Sequence, residues 1–150
     1  MAEVMFKQLI KRAVDNEQIQ KNEFKCLSAG TFAVDGDEAN EKAVEVLEMA
    51  GFETDEHQAN QLYEELLDES YLILTMTEEH KLSIITACPD AEYKTFTLNE
   101  FVYGTDIENY EMDIMDPYRG DIEDYTDCAN GIKKALKLLL VKLINTNAIQ

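Results

Sequence analysis

The chain has 150 residues, enough for one domain with a core of its own, and 45% of them are hydrophobic, so it is expected to fold. Its net charge of −18, from 31 acidic against 13 basic residues, argues against nucleic acid and anionic membranes as partners. Both are bound through basic patches, and no such patch is present. The three cysteines, Cys26, Cys88 and Cys128, are widely spaced with no CxxC pair, which argues against a zinc site. An odd cysteine count without a leader-like segment suggests reduced thiols, hence a cytoplasmic setting. No D-x-[DN]-x-[DN]-G calcium loop occurs. The longest apolar run, Leu136 to Leu143, is interrupted by Lys137 and Lys142, far short of a bilayer span.

Ala2, Met5, Phe6, Leu9, Ile10 and Ala13 recur at helical spacing and predict an opening amphipathic helix. "EFKCLSAG" alternates and stops at Gly30, which reads as a strand. Asp37 is placed to cap a helix carrying Ala39, Ala43, Val46, Leu47 and Ala50, closed by Gly51. "YLILTMT" reads as a buried strand. It runs into a helix capped by Thr77, with Glu78 and Glu79 suited to the helix dipole and Pro89 as its stop. "KTFTL" is another strand, followed by a short helix from Asn99 to Tyr103 and then Gly104. Asp106 to Asp127 is expected to be a loop running into a helix, with nine acidic residues and one arginine. A last helix is predicted from about Ile122 to Ile144, with Tyr125, Ala129, Ile132, Leu136, Leu139, Leu140 and Leu143 on its buried side. Strands alternating with helices predict an α/β fold with a parallel sheet covered on both faces. There is no internal repeat and no linker, so residues 1–150 read as one domain.

One stretch suggests chemistry. In "MDPYRGDIEDY", Asp116 precedes Pro117, and a residue before proline is held extended. That is a means of aiming one carboxylate. The plain alternative is a turn aspartate in an acidic loop.

"MAEVMFKQL", "CLSAGTFA", "LILTMTEEHK", "FTLNEFV" and "DPYRGDIEDY" stand in the order and spacing of the low-molecular-weight protein tyrosine phosphatase family, which the chain resembles over nearly its whole length. "MTEEHK" and "FTLNEF" most resemble the bacterial protein arginine phosphatase branch. The resemblance implies a three-layer α/β/α sandwich around a four-stranded parallel sheet. It also implies hydrolysis of phosphotyrosine or phosphoarginine in a phosphorylated protein, through a phosphocysteine, without metal or organic cofactor. In the family a cysteine thiolate in a Cys-x5-Arg loop attacks phosphorus. Backbone N–H groups, the loop arginine and a helix N-terminus hold the phosphoryl oxygens. An aspartate of an Asp-Pro loop protonates the leaving group and then helps activate water. Asp116 matches this general acid/base. Tyr118 matches the aromatic beside the substrate, and Phe32 falls where another pocket wall stands. Arg119 departs from the usual residue there. It would attract phosphoanions at the pocket mouth, or else pair locally with Asp121 or Glu123.

The same resemblance exposes a gap. Cys26 is followed six positions later by Phe32, Cys88 by Lys94 and Cys128 by Lys134, and the chain's two arginines are Arg12 and Arg119. No nucleophile loop is therefore present. Met1-Ala2-Glu3 stands where family members carry Met-Ala-Glu just after an Arg-Ser-Pro that closes the loop. The expectation is an N-terminally truncated member that lacks the loop and the central first strand, typically about 5–6 residues. Each unpaired buried backbone group would cost about 1–3 kcal/mol against a total stability of roughly 5–15 kcal/mol. These 150 residues alone are thus expected to be poorly folded or aggregation-prone and without phosphatase turnover. The alternative is a non-catalytic remnant or regulatory binding module of the same fold. An unrelated acidic interaction domain does not account for the motif order. A phosphocysteine sugar-transport subunit is not expected to carry the Asp-Pro loop. His57 and His80 read as structural. Cys88 has no second cysteine nearby for an arsenate-reductase relay, and the leucine-rich last helix reads as core packing.

Overall fold

The computed structural model describes residues 1–21, 23–30, 36, 38–54, 60–104 and 111–149. They form two compact units: one from residues 1–61 and 117–150, the other from residues 62–116.

The first unit is helical. Helix α1 (Ala2–Asp15) buries Val4, Met5, Phe6, Leu9 and Ala13 on one stripe, as their spacing predicts. It ends at Asn16, where the N–H of Gln18 returns to Ala13 O at 2.9 Å and Glu17 takes a left-handed φ of 59°. Helix α2 (Glu41–Met49) starts later than the sequence suggests. Asn40, not Asp37, is its N-cap, and the Asn40 side chain accepts from Lys42 N at 3.0 Å. Ala39 therefore precedes the helix, and Asp37 lies outside the described residues. The helix closes as expected at Gly51, whose φ of 84° suits glycine. There Phe52 N–H reaches Leu47 O and Gly51 N–H reaches Glu48 O, the paired bonds of a Schellman termination.

Helix α6 (Ile122–Ile149) packs on α1 and α2. Tyr125, Ala129, Ile132, Ala135, Leu136, Leu139 and Leu140 form its buried stripe, while Leu143 is only half-buried. The plain core-packing reading of this helix therefore holds. Phe52 is buried, with the Arg12 guanidinium 5.5 Å and the Lys133 ammonium 5.7 Å from its ring centre.

The stretch expected as a strand, residues 23–30, is the main correction. Phe24, Cys26, Ser28 and Gly30 are half-buried and alternate with exposed Lys25, Leu27 and Ala29. The period-2 pattern read from the sequence is present. Among the described residues, however, its backbone makes one isolated parallel bridge, Gly30 with Gln61, and no ladder. Side chains hold the segment instead. Buried Glu3 of α1 accepts from the Ser28 N–H at 2.8 Å and from the Ser28 hydroxyl, and it also pairs with Lys7. Asn60 Nδ2 donates to Ser28 O at 3.2 Å.

The second unit holds the parallel sheet. Strand β1 (Ile73–Thr75) pairs with β2 (Thr95–Thr97) in the register Ile73 with Thr95, Leu74 with Phe96 and Thr75 with Thr97. Between them run helix α4 (Glu78–Ala87), capped by Thr77 as predicted, and a 3-10 helix (Pro89–Lys94) not read from the sequence. A short helix α3 (Glu64–Glu69), also unread, precedes β1. Helix α5 (Leu98–Tyr103) follows β2 directly. Leu67, Ile73, Ile84 and Ala91 form the core, with Leu62 and Cys88 packed against it.

Both strands carry buried threonines whose hydroxyls have partners. Thr75 donates to Thr77 O at 2.9 Å, and Thr95 donates to Ala91 O at 2.7 Å. Thr97 caps α5 by accepting from Glu100 N, while the Glu100 carboxylate accepts from Thr97 N. Glu100 is also ion-paired to Lys81 of α4 at 2.8 Å. The expected α/β class with parallel strands is thus present, and among the described residues the two-stranded ladder lies in this unit.

Candidate active site

The Asp-Pro loop passes from one unit to the other between Asp116 and Pro117. On the side of the second unit it is fixed at three points. Glu111 O accepts from Asn99 Nδ2 at 2.8 Å. Ile114 N–H donates to Met76 O at 2.7 Å, just past the end of β1. The Asp113 carboxylate accepts from Glu78 N at 2.7 Å, at the first turn of α4. Helix α4 therefore has two acceptors at its start: Thr77, which takes His80 N, and Asp113, from 35 residues downstream. Beyond these anchors Met115 and Asp116 are exposed. The carboxylate is thus carried on a short, well-footed stalk, and proline restricts its backbone from the other side.

On the side of the first unit the chain turns sharply. Gly120 N–H closes on Pro117 O at 2.6 Å, and Gly120 O accepts from Lys42 Nζ at 2.7 Å. A Cβ at position 120 would lie 2.4 Å from the Asp124 carboxylate and 2.7 Å from Asp124 Cβ, so any other residue forces Asp124 to shift. Asp121 then caps α6, accepting from Glu123 N at 2.9 Å and Asp124 N at 3.0 Å, while Asp124 accepts from Asp121 N. Tyr118 and Arg119 ride on this turn, both exposed. The local pairing considered for Arg119 is not formed. Asp121 is engaged as a cap, and Arg119 has no ion pair among the described residues. Phe32, the other expected wall residue, lies outside the described residues, as does His57.

Cys26 and Cys88 do not look like nucleophiles. None of the three cysteines is in a disulfide, and all are half-buried. Burial, reinforced by the nearby Glu3 carboxylate, pushes the Cys26 thiol up to about 11, although Lys7 acts in the opposite sense. A catalytic thiol needs the reverse, a cationic neighbourhood that favours thiolate. Cys88 behaves as a small core hydrophobe. Glu3 is itself partly destabilised as an anion by burial. Donors from Lys7 and Ser28 outweigh that and hold its carboxyl below the usual range.

The sequence reading missed Asp113, Asn99 and Lys42. Each acts on a group many residues away in the chain, so no local pattern announces it.

The profile of the family described as low molecular weight phosphotyrosine protein phosphatase matches residues 1–148, and the chain belongs to that family. A protein-arginine-phosphatase of Geobacillus stearothermophilus is 39% identical over 130 residues, covering 87% of this chain and 82% of that protein. The solved structure of the YwlE arginine phosphatase from Geobacillus stearothermophilus superposes with a TM-score of 0.82 at 34% identity, covering 99% of this chain and 86% of that one. A low molecular weight protein tyrosine phosphatase from T. tengcongensis gives a TM-score of 0.80 at 32% identity, covering 94% of this chain and 88% of that one.

Proposed function

We propose that this chain is the body of a protein phosphatase that hydrolyses phosphoarginine through a phosphocysteine intermediate. The observation that carries the reading is the Asp116-Pro117-Tyr118 loop, anchored on both sides of the acid. Identity of 39% to a protein-arginine-phosphatase supports the arginine substrate. Phosphotyrosine is the second substrate reading, supported by the likeness to the T. tengcongensis enzyme.

In the proposed reaction a thiolate attacks phosphorus and forms the S–P bond as the bond to the leaving nitrogen or oxygen breaks. Asp116, protonated, gives its proton to that leaving atom. In the second step Asp116 takes a proton from the water that attacks the phosphocysteine, releasing phosphate and restoring the thiolate. Tyr118 flanks the substrate side chain, with Phe32 as a further wall, and Arg119 draws the phosphoanion in. The thiolate comes from a Cys-x5-Arg loop that these 150 residues do not contain. By themselves they are therefore proposed to have no turnover. That absence also keeps a second reading in view, a non-catalytic binding module.

The test is Asp116→Asn in a protein carrying the loop. General acid catalysis contributes roughly 10²–10⁴-fold. The substitution is expected to lower kcat/KM by at least about a hundredfold on phenyl phosphate and far less on 4-nitrophenyl phosphate. Equal losses on both substrates would remove Asp116 from the acid role.

A further inference from the structure

Asp113 and the start of α4 form a clamp whose purpose is not obvious from helix capping alone. Helix α4 already has a cap, because Thr77 accepts from His80 N. Asp113 adds a second acceptor, taking Glu78 N at 2.7 Å, and it comes from a distant part of the chain. Its neighbour Ile114 donates to Met76 O at 2.7 Å. Two adjacent residues of the loop are thus bonded to Met76 and Glu78, where β1 passes into α4. Only Met115 separates this clamp from Asp116, and Pro117 fixes the backbone on the far side. A hydrogen bond with a charged acceptor is among the stronger ones and is directional. Misplacement of a catalytic group by about 1 Å costs on the order of a hundredfold.

We propose that Asp113 is a positioning residue for the phosphatase reaction: through Glu78 N–H it holds the stalk from which Asp116 delivers its proton. This rests on the reading of Asp116 as the general acid. Asp113 touches no substrate. Its effect falls on the step that needs the proton, so it depends on the leaving group.

The experiment compares kcat/KM for phenyl phosphate, a poor leaving group, and 4-nitrophenyl phosphate, a good one, in the phosphatase carrying its Cys-x5-Arg loop. Asp116→Asn serves as the reference. Asp113→Ala is expected to lose about tenfold on phenyl phosphate and less than about threefold on 4-nitrophenyl phosphate. Asp113→Asn keeps an oxygen that accepts from Glu78 N and is expected to stay near wild type. Glu78→Pro removes the donor without touching Asp113. Proline is tolerated at a first helical position, and Thr77 is already extended at φ −130° and ψ 157°, as a residue before proline must be. This variant is expected to reproduce Asp113→Ala even where the alanine variant folds poorly, and the double variant to be no worse than either. Equal losses on the two substrates, no loss at all, or Asp113→Asn as impaired as Asp113→Ala would overturn the proposal. If Asp116→Asn steepens the dependence on leaving group while Asp113→Ala and Glu78→Pro do not, the acid assignment stands and the clamp alone falls. If Asp116→Asn does not steepen it, both fall.

Discussion

Residues 23–30 and 71–77 both read as strands from the sequence, and the structure treats them differently. Residues 24–30 alternate between half-buried and exposed, whereas in β1 buried Ile73 and Thr75 flank half-buried Leu74. Ile73–Thr75 meets Thr95–Thr97 in parallel register and becomes a strand. Residues 24–29 keep the alternation but have no ladder among the described residues, and side-chain bonds to Glu3 and Asn60 hold them. Alternation records which face is covered. Only a partner makes a strand, because the strand is defined by bonds it shares with another segment. One region is therefore stabilised by backbone and the other by a buried carboxylate.

The largest effect expected from this contrast is at Glu3. Glu3→Ala leaves the Ser28 N–H without its acceptor and removes the partner of Lys7. It is expected to lower stability by about 2 kcal/mol, read from denaturant unfolding of the protein carrying the strand and Cys-x5-Arg loop. Glu3→Gln keeps an acceptor for Ser28 and is expected to cost less. A loss for Glu3→Ala no greater than that for Glu3→Gln would show that residues 24–30 are held by something else. The pH dependence carries the same signature. The Glu3 carboxyl sits below its ordinary value in the folded protein. Its contribution is therefore present above the unfolded carboxylate range and is lost as pH falls through the depressed value. That acid-side loss is expected to shrink in Glu3→Gln.

A smaller effect is expected at Thr97, on the backbone-paired side. Thr97→Val keeps the branched shape that suits β2 but leaves Glu100 N without its cap. The expected cost is about 1 kcal/mol, with the register of β1 and β2 unchanged. Loss of amide protection at Ile73–Thr75 would show that the ladder depends on this cap, and the contrast between the two regions would weaken.

Much of this organisation was legible because its causes are local. The buried stripes of α1 and α6, the Thr77 cap, the Gly51 stop and β2 all follow from residues within one or two turns of each other. The misses share a different cause. The acceptor for Glu78 N is Asp113, far along the chain, and nothing near either residue reveals it. Asn40 displaced Asp37 as a cap because two Asx residues compete three positions apart, and sequence alone did not rank them. The short helix Glu64–Glu69 has a single buried residue, Leu67, too little to leave a periodic pattern. In the candidate site, Asp116 and Tyr118 were proposed from motif order. The structure then added the footing of the loop, which the motif does not encode.

The central proposal is that Asp116 is the acid of a phosphatase and that turnover needs a Cys-x5-Arg loop, which these 150 residues do not contain. The most direct measurement is phosphate release from a phosphoarginine peptide by the 150 residues alone and by the same residues joined to a strand and Cys-x5-Arg loop of the family. The account predicts no turnover in the first case and turnover in the second, abolished when the loop cysteine is replaced by serine. Turnover by the 150 residues alone, or none from the joined protein once it is shown to be folded, would contradict it.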